Sequence, residues 1–115
     1  NRMLGDYSRA IADFDEALSR DAKFAVAHYN KGLTYALQNK PDEALESFSR
    51  AIQINDKYDD SYAMRGKTRI GKGDVTGARA DFAKALSLNG RNFTAAVGIQ
   101  ALQVGKALDT LAGKN

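Results

Sequence analysis

Apolar residues recur along most of this chain at helical rather than strand spacing. Ile11, Phe14 and Leu18 fall three and four residues apart, and Leu45, Phe48 and Ile52 repeat the rhythm. Such spacing lays one apolar stripe along a helix of 3.6 residues per turn. It predicts helices over about 7–19, 25–38, 41–54, 59–72 and 75–88. Pro41 suits a first helical turn, where its missing N–H costs nothing. Asp42 and Glu43 follow it and favour the positive end of the helix dipole. Asn39-Lys40 and Gly71-Lys72-Gly73 read as tight turns between paired helices.

Sliding the chain along itself shows why the pattern is so regular. Ala10, Phe14 and Ala17 are followed 34 residues later by Ala44, Phe48 and Ala51, and again by Ala78, Phe82 and Ala85. The other half of the period repeats too: Tyr29-Asn30-Lys31-Gly32 stands 34 residues before Ala63-Met64-Arg65-Gly66. Gly32 and Gly66 fall inside predicted helices, where glycine costs about 1 kcal/mol relative to alanine. They are expected where a neighbouring helix must come close, with Phe48 and Phe82 filling the space between helices.

A 34-residue period with this Gly, Ala, Phe, Ala skeleton resembles the tetratricopeptide repeat family over residues 1–92. The Lys or Arg before each glycine resembles a bacterial variant of the repeat. His28 and Tyr62 replace the family's usual Trp, Arg69 stands where it favours Tyr, and Ala22, Asp56 and Gly90 stand where it usually closes with Pro. The resemblance implies an all-α fold: a right-handed superhelical array of antiparallel helix pairs, an α-solenoid. The units are a partial repeat over 1–24, full repeats over 25–58 and 59–92, and a C-terminal capping helix and tail over 93–115. Residues 1–4 read as the end of an earlier helix, with further repeats expected before them.

Beyond residue 92 the period gives way to one long helix over about 93–112, capped by Asn92. Val97, Ala101, Val104, Leu108 and Leu111 form one apolar stripe, and Phe93, Ile99 and Leu102 a second at another angle. One stripe should seal the end of the array. The other is left for self-association, through Val97, Val104, Leu108 and Leu111, or for a greasy flank without further role.

Composition narrows the function by exclusion. With 17 basic and 14 acidic residues the net charge is only +3 and spread along the chain, which does not argue for nucleic acid. No apolar run is long enough to cross a membrane. Without cysteine there is no disulfide or thiolate metal site. His28, the single histidine, has no second ligand to share a metal and occupies a packing position. Gly66-Lys67-Thr68 copies the end of a phosphate-binding loop but falls inside a predicted helix, with Ser61 where that loop needs glycine. No catalytic residues, cofactor or metal are expected. Either cytoplasm or bacterial periplasm is compatible with the sequence.

The resemblance implies that the first helices of successive repeats line a concave groove for a protein or peptide. Mapped here, its residues are Val26, Tyr29, Asn30, Leu33 and Leu37, then Asp60, Ala63, Met64, Lys67 and Ile70, with Thr94, Val97 and Ala101 as a continuation. Tyr29 is the expected anchor, because aromatic side chains dominate binding hot spots. Arg65, Lys67, Arg69 and Lys72 form a basic stretch, read either as ordinary helix surface or as a patch for an acidic peptide. Relatives that grip the C-terminal carboxylate of heat-shock chaperones use a set of Lys, Asn and Arg on these helices. Asn30 matches one such place, but Asp60 and Met64 stand where Lys and Arg are needed. That argues against carboxylate capture. The rival expectations are self-association through the last helix and an accessory domain of a larger enzyme.

Overall fold

The computed structural model describes residues 2–113, with side chains from Gly5 onward. Its elements are six helices without strands: α1 (Arg2–Arg20), α2 (Ala25–Leu37), α3 (Pro41–Ile54), α4 (Asp59–Gly71), α5 (Val75–Leu88) and α6 (Phe93–Leu111). Each helix packs on the next in sequence. In addition α2 approaches α4 and α4 approaches α6, whereas among the described residues the backbones of α1, α3 and α5 stay apart from one another. A stack whose alternate helices meet on one side and splay on the other is curved. The inner row is therefore α2, α4 and α6. The molecule measures 52 × 34 × 19 Å, the elongated outline of an array whose units contact only their neighbours.

The turns follow the 34-residue period in backbone detail. Asn39 and Gly73 both take positive φ, 59° and 84°. Just after them the Lys40 N–H donates to the Tyr35 carbonyl and the Asp74 N–H to the Arg69 carbonyl, each at 2.9 Å. This is the left-handed helix stop that satisfies the last orphan carbonyls. Between repeats, the side-chain oxygens of Asp21, Asn55 and Asn89 each accept an N–H two residues on, from Lys23, Lys57 and Arg91, all at 3.0 Å. In each, a side chain closes the turn that leads from one repeat into the next. Periodicity alone did not point to them.

The core is the predicted skeleton. Phe48 and Phe82 are 0% and 1% exposed, and Ala44, Ala51, Ala78 and Ala85 are sealed around them. A Cβ added at Gly32 would lie 2.5 Å from the Phe48 ring, and one at Gly66 would lie 2.8 Å from the Phe82 ring. Both distances are shorter than real carbon contacts, so these glycines are what lets the helices close on the rings. Gly98 of α6 meets the other edge of Phe82 in the same way.

Two expectations are corrected. Residues 2–4, expected to end an earlier helix, and the helix expected from about residue 7 form one element, α1, unbroken from Arg2 to Arg20. Residue 1, and residues 114 and 115 of the tail, lie outside the described residues. In α6 the face that packs is Ala95, Gly98, Ile99 and Leu102. Phe93, grouped with Ile99 and Leu102 in the sequence reading, is 80% exposed. Beyond Leu102 the helix leaves the body, since every described residue from Gln103 on is exposed.

Candidate functional site

The inner row presents two clefts side by side. The first, of about 460 Å³, opens between α2 and α4 and is walled by Leu33, Leu37, Met64, Lys67, Thr68 and Gly71, with Pro41 at one end. The second, of about 320 Å³, opens between α4 and α6 and is walled by Ile70, Thr94, Val97 and Ala101, with Phe82 among its lining. Lys67 lines both. Neither cleft follows from a special loop. Each is the furrow between neighbouring inner helices, and its walls are fixed by the same positions of successive repeats.

Of the predicted groove residues, Leu33, Leu37, Met64, Lys67 and Ile70 line the clefts, whereas Val26, Tyr29, Asn30, Asp60 and Ala63 do not. Val26, Leu37, Lys67 and Ile70 are exposed, whereas Tyr29, Asn30, Leu33, Asp60 and Met64 are half-buried. Ala63 does not belong to the groove. It is fully covered and joins the core cluster around Tyr62, Phe82 and Ala95. Its methyl group is too short to emerge where Tyr29 stands one repeat earlier.

Tyr29 is already engaged from two sides. Its ring lies 5.8 Å from Phe48 and 5.2 Å, edge-on, from Tyr58. Burial, with the neighbouring Tyr58 and then the Asp60 carboxylate, holds its hydroxyl well above the usual tyrosine range. Burial and Asp60 push Tyr58 up too. Both hydroxyls therefore stay protonated. Tyr58 was not singled out in the sequence, although it precedes α4 at the place Phe24 and Asn92 hold before α2 and α6.

Asn92 ties the two inner helix starts together. Its side-chain oxygen accepts the Ala95 N–H at 2.9 Å, the cap read from the sequence. Its amide nitrogen donates to Asp59 at 2.6 Å and to Asp60 at 2.9 Å, while Asn89 donates to Asp59 at 3.1 Å. Asp60 is thus held at the start of α4 instead of ranging over the groove.

The basic stretch divides. Arg65 grips Asp81 with two bonds, at 3.0 and 2.9 Å, and reaches Ser49 at 3.2 Å. Arg69 donates to the same carboxylate at 2.8 Å. Asp81 is 3% exposed, so this is a buried ion cluster joining α4 to α3 and α5. Lys72 pairs with Asp42. One repeat before Arg65, Lys31 pairs with Asp15 at 2.6 Å. Lys67 points the other way, into the groove, and appears in none of the ion pairs among the described residues. The residue before each glycine thus fastens neighbouring helices together.

The remaining candidates take structural places. The His28 Nε2 lies 3.3 Å from the Ala22 carbonyl, and the Tyr62 hydroxyl donates to the Asp56 carbonyl at 3.2 Å, the same bond one repeat on. Gly66-Lys67-Thr68 is inside α4. Among the described residues no three His, Cys, Asp or Glu side chains gather to hold a metal, and no helix is long and apolar enough to cross a membrane. Val97, Val104, Leu108 and Leu111 are exposed along α6, and Leu111 reaches 84%.

The tetratricopeptide repeat is matched over residues 25–58 and, in a second version of its model, over 59–92. RNA polymerase II-associated protein 3 of Xenopus tropicalis is 32% identical over 91 residues, covering 79% of this chain and 14% of that protein. Heat shock protein STI1 of Saccharomyces cerevisiae is 28% identical over 95 residues, covering 82% of this chain and 16% of that protein. The chain therefore spans less than a fifth of either relative. Among solved structures, the second TPR domain of human RPAP3, in complex with the HSP70 peptide SGPTIEEVD, superposes with a TM-score of 0.80 at 27% identity. That match covers 87% of this chain and 83% of that one.

Proposed function

The chain belongs to the tetratricopeptide repeat family, and from that premise we propose that it is a non-catalytic scaffold whose inner face holds a segment of another polypeptide. The observation that carries this reading is the cleft between α2 and α4. Leu33, Leu37 and Met64 surround it, and Leu37 is 68% exposed although it faces the concave side. An apolar furrow with a few polar groups at its edge suits a peptide held by side-chain pockets. The human RPAP3 domain, caught with a peptide, supports the ligand class. The groove differs from a carboxylate grip in its charges: Asp60 and Met64 stand where cations would be required.

A peptide array probed with the folded chain tests this. Leu37→Asp and Lys67→Glu alter exposed side chains, so both variants should fold. Each is expected to lose most of the peptides bound by the parent. Unchanged binding by both variants would exclude this groove.

A second reading, self-association through α6, draws on the exposure of Val104, Leu108 and Leu111. Light scattering separates the two. Dimers that Val104→Asp dissolves favour self-association; a monomer at high concentration leaves the groove as the working surface.

A further inference from the structure

We propose that the groove is built for an internal peptide segment with one acidic side chain between two large apolar ones; this rests on the polypeptide-binding reading above. The clefts on either side of α4 are both apolar-walled, and Lys67 is the side chain of α4 that projects between them and lines both. The other cations of α4 are engaged elsewhere: Arg65 and Arg69 on Asp81, with Lys72 just beyond the helix on Asp42. The groove thus keeps one positive centre with an apolar furrow to each side.

Charge also limits what can enter. Asp60 lies seven residues before Lys67 on the same helix, about 10 Å away along the axis. It is held there by Asn92 at 2.9 Å. A segment with acids spread along its length would meet Asp60 as well as Lys67, so a single acidic residue fits better than an acidic run. In an extended segment the side chains of residues i, i+2 and i+4 point to one side. With the acid at i+2 over Lys67, the residues at i and i+4 enter the two clefts. Nothing in this arrangement uses a chain terminus, which sets it apart from capture of a C-terminal carboxylate.

The test is a nitrogen–proton NMR titration of the folded chain with peptides acetylated and amidated at their ends. The probes are Ser-Leu-Ala-Glu-Ala-Leu-Ser, the same peptide with Lys in place of Glu, and the Glu peptide with one Leu changed to Ala. The Glu peptide should move the amides of Thr68 and Gly71 in the first cleft and of Thr94 and Gly98 in the second. It should bind about fivefold more tightly than the Lys peptide, the size of an exposed ion pair. It should bind about tenfold more tightly than the peptide lacking one Leu, the loss expected for one buried apolar side chain. In Lys67→Glu the preference for Glu over Lys should reverse. Equal affinity for the Glu and Lys peptides, or a preference that survives Lys67→Glu, overturns the inference. If both peptides bind equally but Leu37→Asp abolishes binding, the polypeptide-binding reading stands and only the acidic centre falls. If no peptide moves these amides and Leu37→Asp changes nothing on the array, both fall.

Discussion

Helices α1 and α5 carry the same skeleton, yet only one of them is sealed. In α5, Ala78, Phe82 and Ala85 are each 1% exposed or less. In α1 the matching Ala10, Phe14 and Ala17 all remain half-buried. The sequences hardly differ at these places; the neighbours do. Among the described residues, helix α5 lies between α4 and α6, whereas α1 packs on α2 and on no other helix. Burial in a repeat array is thus a property of the stack, as expected when stability is a sum of units and nearest-neighbour interfaces. The ion pairs also differ in burial: Asp81 at the α4–α5 junction is buried under two guanidiniums, whereas Asp15, at a different repeat position on the α1–α2 junction, meets Lys31 with half its side chain in water.

Four perturbations test how far neighbouring helices decide stability. The largest effect should come from Phe82→Ala, at about 3–5 kcal/mol. Phe14→Ala should cost only about 1–2 kcal/mol, because less of its ring leaves water on folding. Urea denaturation of both variants decides it, and equal losses would mean that neighbours do not matter.

Next, Asp81→Ala should cost about 3 kcal/mol, the low end for a broken buried pair, because Arg65 and Arg69 keep some contact with water. Asp15→Ala should cost less than about 1 kcal/mol. Raised salt should shrink the Asp15 effect and leave most of the Asp81 effect. The reverse order of losses would contradict the buried cluster.

Two glycines should differ in sign. Gly32→Ala forces a Cβ against Phe48 and should destabilise by about 1–3 kcal/mol. Gly5→Ala meets nothing within 4 Å and should stabilise the exposed helix by about 1 kcal/mol. Thermal midpoints report both, and two shifts of the same sign would refute the close approach.

The smallest effect concerns pH. Folding holds the Tyr29, Tyr58 and Tyr62 hydroxyls above the usual range, mainly by burial. The unfolded chain therefore ionises first as pH rises past about 10, while the folded chain keeps its protons. The unfolded state then binds fewer protons, so stability is full below pH 10 and declines above it. Tyr29→Phe should make that decline shallower, as followed by thermal midpoint against pH. An unchanged slope would mean that Tyr29 is not held by its surroundings.

How much of this was legible in the sequence depends on the range of the interaction. Helices, turns and the alanine–phenylalanine core could be read, because each depends on spacing within or between repeats. Phe48 and Phe82 sit where the period placed them. Half-burial of Phe14 could not be read, since it depends on how many helices flank α1. Nor could the grip of Arg65 and Arg69 on Asp81: along the chain Asp81 looks like any acid on a solvated helix, and only packing brings it under α4. Ala63 holds a repeat position that faces inward, but a methyl group cannot clear its neighbours. In α6 the two apolar stripes were visible. The choice between them followed from the fit of Gly98 against Phe82, a contact that hydrophobicity does not encode.

The inner face itself can be examined by placing a nitroxide on the Ser-Leu-Ala-Glu-Ala-Leu-Ser peptide and measuring paramagnetic broadening of the protein amides. A groove formed by α2, α4 and α6 should show broadening at Ala36, Thr68 and Ala101, with Arg79 and Ser87 on α5 untouched. Broadening centred on α5, or spread evenly over both rows, would contradict it.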